Sequence, residues 1–209
     1  MRTKGERTRR RIVERAAPVF NTRGYFGSSM GDLVRETGLE KGGIYNHFGS
    51  KEELALAAFD YSAGVMRERF DAALDGRTGA MEKLLAVVGV LGGMVEEPPV
   101  RGGCPVLNTA VEADDAHPAL KERARGAATD WLRLVGSIVK EGVASGELEE
   151  GTDPREVASV VVATLEGAVM LSRLHEDPAH MERAVGHLEA YLRSLSRPVA
   201  GDAEPGRGR

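Results

Sequence analysis

The sequence predicts an all-α protein of about nine helices, with an N-terminal three-helix helix-turn-helix domain and a larger helical body behind it. Three observations carry this. Apolar residues recur at i, i+3 and i+4 through most of the chain, the period of a helix with one buried face. Four dipeptides, Cys104-Pro105, His117-Pro118, Asp153-Pro154 and Asp177-Pro178, mark helix starts, because proline suits the first helical position and its predecessor prefers extended geometry. No run alternates strictly enough, or gathers enough β-branched residues, to predict a strand.

The elements follow in order. From Thr8, the residues Ile12, Val13, Ala16, Ala17 and Phe20 define a first helix, which Gly24 ends as a left-handed cap with Tyr25 as its hydrophobic contact. Ser29 caps a second helix, Asp32 stands at the capping-box distance, and Met30, Leu33 and Val34 form its apolar face up to Gly38. A third helix is expected over 40–48 with Ile44 and Phe48 inward. Ser50 and Glu53 form a capping box for a long fourth helix ending near Asp75-Gly76. Five more are expected at 79–96, 105–113, 118–145, 154–174 and 178–196. The division is then 1–51 for the helix-turn-helix domain, 52–196 for the body, and 197–209 for a Gly-, Pro- and Arg-rich disordered tail.

Charge follows the same division. The 209 residues carry a net charge of -4, but residues 1–51 hold 11 Lys and Arg against 5 Asp and Glu, and the rest hold 17 against 27. A +6 end on a -10 body suits a module for phosphate backbones joined to a body that would repel them. One cysteine excludes an intramolecular disulfide and a multi-thiolate zinc site, and points to a reducing cytoplasm. The N-terminal residues lack a signal-peptide core, and no stretch reaches the ~20 uncharged apolar residues of a membrane span, so no membrane partner is expected.

The segment SSMGDLVRETGLEKGGIYNHFGSKEEL sets two short helices around a glycine turn. Gly38 supplies a positive φ, Leu39 plugs the junction, and the following helix fits a major groove ~12 Å wide. Together with AA-x-x-F, RGY and KGGIYNHFGSKEEL, this segment resembles the TetR family of bacterial transcriptional regulators, closely over 8–60 and loosely to about residue 196. The resemblance implies a cytoplasmic homodimer, not an enzyme, that binds a double-stranded palindromic DNA operator and is released by a small-molecule effector.

The resemblance also implies roles for particular residues. Lys41 and Asn46 reach base edges, Tyr45 and His47 contact the DNA backbone, and Gly42 and Gly43 lie in the recognition helix between them. Ser29 and Lys51 serve phosphates from the starts of the second and fourth helices. Arg2, Lys4, Arg7, Arg9, Arg10 and Arg11 form a basic arm and helix face. Glu40 is a poor cap where the family often has Ser or Thr, and each glycine of the pair weakens the helix by ~1 kcal/mol relative to alanine. The recognition helix is therefore expected to firm up on DNA.

In the body, the last two helices are candidates for the dimer interface: EVASVVVATLEGAVMLSRL is apolar nearly all round, and Met181, Val185, Leu188, Tyr191 and Leu192 form a stripe. The middle helices are expected to enclose an effector cavity lined by Phe59, Leu91, Met94, Leu107, Val111, Trp131 and Met170, with Asn108 and Glu166 as polar handles. Plain core packing competes at each of these positions. Cys104 offers an alternative effector chemistry. At a helix N-cap near Arg101 it is expected to have a lowered pKa, and RGGCPVLN resembles a thiol- and electrophile-responsive branch of the family with Gly-Cys before the sixth helix. No cofactor is expected: Gly89, Gly92 and Gly93 match no nucleotide-binding spacing, and His175, His180 and His187 do not make a metal set.

Overall fold

The computed structural model describes residues 3–197, and among these it has nine α-helices and no extended sheet. They are α1 (Lys4–Gly27), α2 (Met30–Thr37), α3 (Lys41–Tyr45), α4 (Lys51–Leu74), α5 (Ala80–Gly92), α6 (Pro105–Ala113), α7 (Pro118–Ser145), α8 (Pro154–His175) and α9 (Ala179–Ser194). Arg2 of the basic arm and residues 198–209 of the expected tail lie outside the described residues.

Local chemistry accounts for the ends. α1 begins four residues before the expected Thr8 because Thr3 and Glu6 form a reciprocal capping box there. Near its other end Gly24 takes φ 73° and ψ 173°, a conformation essentially reserved for glycine, and the chain makes one more turn before Ser28. α5 stops at Gly92 instead of reaching 96, because Gly93 closes it and Met94 turns back to bond the Leu91 carbonyl. α6, α7 and α8 each begin on the proline expected to start them.

Two large apolar cores result, with a small third cluster of Ala17, Ala58 and Val100 beside them. Ile12, Val13, Ala16 and Val19 of α1 pack with Leu33, Ile44, Phe48 and Leu54 in the N-terminal unit. Leu54 belongs to α4, whose later residues Met66 and Phe70 are buried in the body instead. One rigid helix therefore enters both cores.

The body packs α8 between α7 and α9, with α5 against both α7 and α9. By length and mean hydropathy (1.6 over 18 residues) α8 would suit a membrane, but it is a core helix of this bundle and not a span. Its inner face, including Val157, Val161, Leu165 and Val169, is buried. Its outer face leaves Val160, Met170, Leu171 and Leu174 exposed. The α9 stripe is different from expectation: Met181, Leu188 and Leu192 are buried within their own chain. Gly92 shows why, since a Cβ there would lie 2.8 Å from Val185 Cγ2, so α5 already occupies that face of α9.

Gly24 provides a test of the α1 break. A Cβ there would meet the Glu112 carboxylate at 2.3 Å as well as forcing a side chain to positive φ, whereas a Cβ at Gly27 meets nothing. Gly24→Ala should lower stability by about 1–3 kcal/mol and Gly27→Ala by less than about 0.5 kcal/mol in urea unfolding. Equal losses would contradict this account.

Candidate DNA interface and its link to the body

The helix-turn-helix is held by caps on both sides of its turn. Ser29 Oγ accepts from the Asp32 N–H at 3.1 Å, and Asp32 Oδ2 accepts from the Ser29 N–H at 2.9 Å. The Ser29 hydroxyl, which donates to Asp32 Oδ2 at 2.6 Å, and the Ser29 N–H, together with Arg35 and Arg23, hold the Asp32 carboxyl well below the usual carboxylate range. Gly38 has φ 68° and donates to the Val34 carbonyl, which turns the chain into α3.

α3 is shorter than the expected 40–48. Glu40 makes no side-chain cap, and Gly42 and Gly43 contribute little helix propensity, so the regular helix covers only Lys41–Tyr45. A tighter turn carries it on, with the His47 and Phe48 N–H groups both donating to the Ile44 carbonyl. Ile44 and Phe48 are buried below. Lys41, Gly42, Tyr45 and Asn46 remain exposed on the outer surface, Gly43 and His47 are half-buried, and Ser29 is exposed beside α2. These groups can offer an ammonium, a phenol and an amide to a nucleic acid.

Lys51 does not stand free for phosphate, as its place at the start of α4 implied. Its Nζ donates to the Tyr25 and Ser28 carbonyls and lies 4.4 Å from the Tyr25 ring centroid. The cost of burying this ammonium lowers its pKa. Arg9 stacks over Phe48 at 4.3 Å and pairs with Glu53, while Arg10 pairs with Glu14; Lys4, Arg7 and Arg11 are exposed on the same helix.

The link to the body is a polar seam across the α1 break. Glu112 of α6 accepts from the Tyr25 and Phe26 N–H groups at 2.8 and 2.9 Å. Asn108, one helical turn earlier, donates to the Asn21 carbonyl, to Asn21 Oδ1 and to the Gly102 carbonyl. Asn21 in turn donates to the Val100, Arg101 and Gly103 carbonyls. His117 completes the seam, its ring edge-on to Tyr25 at 4.6 Å. Asn108 is thus a structural pin as well as a polar group of the body. Asn21 and Glu112 escaped the sequence reading because their partners lie some 80 or more positions away, with no local spacing to betray them.

The expected effector residues separate. Phe59, Leu91, Met94, Cys104 and Trp131 are buried and Leu107 half-buried in the body core. Val111 and Met170 are 75% and 52% exposed, so they cannot line an enclosed cavity with the others. Instead they border an open groove between α1, α6 and α8, along with Arg23, Leu107, Asn108, Glu112, Arg173 and Leu174. Trp131 is not among its lining residues and packs edge-on to Phe70 at 6.0 Å.

Cys104 does cap α6, accepting weakly from the Leu107 N–H at 3.4 Å, but its expected lowered pKa is overturned. Burial pushes the thiol pKa well up, and the nearby Glu166 carboxyl pushes it further. Glu166 has both carboxylate oxygens buried without a hydrogen-bond partner. Desolvation raises its pKa to about 7, with the Cys104 thiol its compensating neighbour. His175 and His180 approach to 5.2 Å across the α8–α9 turn, and among the described residues no three ligating side chains converge.

An exposed recognition turn on a basic three-helix head, pinned to a helical body, defines a helix-turn-helix transcriptional regulator. Residues 12–58 match the family described as bacterial regulatory proteins, tetR family, and residues 80–188 match the tetracyclin repressor-like C-terminal domain. The chain belongs to the TetR family. It is 45% identical to a TetR transcriptional regulator from Chloroflexus aurantiacus J-10-FL, whose structure aligns over 93% of this chain and 98% of that one with a TM-score of 0.90. A TetR-family regulator from Cytophaga hutchinsonii is 35% identical, with coverage of 94% and 98% and a TM-score of 0.87. The HTH-type transcriptional regulator LmrA of Bacillus subtilis (strain 168) is 27% identical over 166 residues, 79% of this chain and 86% of that protein. Regulators of this family bind DNA and small-molecule effectors, typically as dimers.

Glu166 sets a pH dependence. Its pKa rises from an ordinary 4.5 to about 7 on folding, so the folded chain holds a proton that the unfolded chain releases between those values. Stability from this group is complete below 4.5 and is lost as pH climbs to about 7. Glu166→Gln should match the wild type in urea unfolding near pH 4.5 and exceed it by on the order of 3 kcal/mol at pH 8. A gap that does not change with pH would contradict this.

Proposed function

We propose that this chain is a cytoplasmic, ligand-responsive repressor that binds a palindromic operator as a homodimer and leaves it when a small molecule enters the body. The observation that carries the reading is the exposed row Lys41, Tyr45 and Asn46 above the locked anchors Ile44 and Phe48, within the basic quarter of the chain. Asn46 pairs with an adenine edge, Lys41 with a guanine edge or a phosphate, and Tyr45, His47 and Ser29 with the backbone. The body and α4 form the regulatory part. An effector that shifts α6 or α4 moves the head through the Glu112 and Asn108 seam, and by linkage the operator weakens effector binding to the same degree.

The outward row Val160, Leu171 and Leu174 of α8 supports the dimer, since it is an apolar face left open after the chain has packed its own core. Two heads then read half-sites about one helical turn apart. Thiolate sensing has no comparable support, because the Cys104 sulfur is buried and its pKa is raised.

Footprinting on the DNA upstream of the protein's own gene should reveal a two-fold protected site; its absence would overturn the operator reading. Asn46→Ala should cost about 1–3 kcal/mol on that site and little on random duplex, while Arg11→Ala should weaken both and lower the salt slope by about 1. Leu174→Glu should yield monomers in sedimentation velocity at concentrations where the wild type is dimeric, and an unchanged dimer would remove α8 from the interface.

A further inference from the structure

His117 is a buried histidine at the corner between α6 and α7. Its N–H donates to the Ala113 carbonyl at 3.1 Å and its carbonyl accepts from the Lys121 N–H at 3.0 Å, so its backbone belongs to both helices. The ring reaches further. Nδ1 accepts from the Leu120 N–H at 3.3 Å and so caps α7, while Nε2 lies 3.7 Å from Glu52 Oε1 in the first turn of α4. The ring also stands edge-on to Tyr25 at 4.6 Å, with Phe26 at 6.3 Å. Tyr25 and Phe26 are the residues whose N–H groups Glu112 holds. One imidazole thus touches the head, α4 and the start of α7 at the joint on which the orientation of the head depends.

The cap fixes the state of the ring. A helix cap needs an acceptor, which serine, threonine or asparagine offers at any pH. Histidine offers one only as the neutral ring, and here only as the tautomer with its proton on Nε2. A proton taken from solvent forms an N–H bond at Nδ1, which then faces the Leu120 N–H donor against donor, and the cap is lost. The same proton makes the ring a cation opposite Glu52. The other charged groups around the joint have partners of their own: Glu112 the two N–H groups of α1, Lys51 the Tyr25 and Ser28 carbonyls, and Asp114 the Lys121 ammonium at 3.0 Å.

From this geometry we propose that His117 is a positioning residue for DNA binding. Its neutral ring holds the α6–α7 corner against Tyr25, and protonation at Nδ1 exchanges the α7 cap for the Glu52 carboxylate and loosens the hold on the head. The proposal rests on the reading of the chain as an operator-binding regulator and adds a proton to the set of ligands that regulate it. By linkage, the operator opposes protonation of the ring to the same degree that protonation weakens operator binding.

The test follows the full-length protein from about pH 8 to about pH 5.5, the range in which imidazole changes charge. His47 stands in the DNA interface and changes charge over the same range, so operator binding is compared between His47→Asn and the double variant His47→Asn, His117→Asn. Asparagine keeps an acceptor for the cap and has no proton to gain. With His117 present, affinity for the duplex protected in footprinting should fall by about threefold to tenfold more across the range than with His117→Asn. Glu52→Gln, added to His47→Asn, should move that fall to lower pH, because the cation loses its anion. In the wild type, ¹⁵N spectra of the imidazoles should show His117 as the Nε2–H tautomer at about pH 8, and the Leu120 and Tyr25 amide signals should titrate together with the ring. The Nδ1–H tautomer, amide signals that ignore the ring, or a pH profile that His117→Asn leaves unchanged would each overturn the proposal. The spectra decide it on the wild type alone even where His117→Asn fails to fold. Absence of operator binding at every pH overturns the regulatory reading beneath it, which the spectra do not depend on.

Discussion

The carboxylate of Glu112 joins the two halves of the molecule. α1 breaks at Gly24 in a conformation that only glycine adopts comfortably, and the break exposes the N–H groups of Tyr25 and Phe26. A carboxylate accepting two backbone N–H groups makes charge-assisted bonds, stronger than those between neutral partners. It also fills the space a side chain at 24 would need. From the other side Lys51 collects the carbonyls of Tyr25 and Ser28. A few residues of backbone are thus held between α6, through its acid, and α4, through its base. The orientation of the recognition turn depends on both helices at once, which is the arrangement a regulator needs if events in the body are to reach DNA.

α8 answers three demands with one sequence. Its inner face packs the body, its outer face leaves an apolar row for a second copy, and Glu166 interrupts the apolar run inside. Composition alone describes such a helix as hydrophobic all round. Only the packing of α7 and α9 against it separates the buried face from the available one. The unpaired carboxyl lowers the stability of the body at neutral pH, a cost that is reasonable at a functional position and hard to explain at a purely structural one.

Much of the head was legible because its determinants are local. Ser29 and Asp32 announce the start of α2 three residues apart, Gly38 ends it, and Ile44 with Phe48 fixes which side of the recognition turn faces the core. The same holds for Pro105, Pro118 and Pro154, each of which starts a helix. The weak cap at Glu40 and the Gly42-Gly43 pair foretold a marginal α3, and the regular helix is indeed only one turn long with a tighter turn after it. Where a neighbour comes from far along the chain, local reasoning misjudged the environment. Cys104 has the cap position that favours a thiolate, yet Glu166 and burial reverse the sign. Lys51 has the position of a phosphate contact, yet the chain around Tyr25 claims its ammonium. The α9 stripe has the spacing of an interface, yet α5 covers it.

The sequence by itself determined the helical class, most helix boundaries, the exposed and buried sides of the recognition turn, and the concentration of positive charge in the first quarter of the chain. These follow from backbone capping, proline and glycine geometry, and a 3.6-residue period, all of which act over a few residues. The tertiary structure decided which apolar faces remain open, which ionisable groups are desolvated, and how the head is fastened to the body. Those outcomes depend on contacts such as Glu112 with Tyr25, 87 positions apart, and on the dielectric that packing creates around Glu166. Burial and long-range pairing are properties of the assembled core, and no window of sequence contains them.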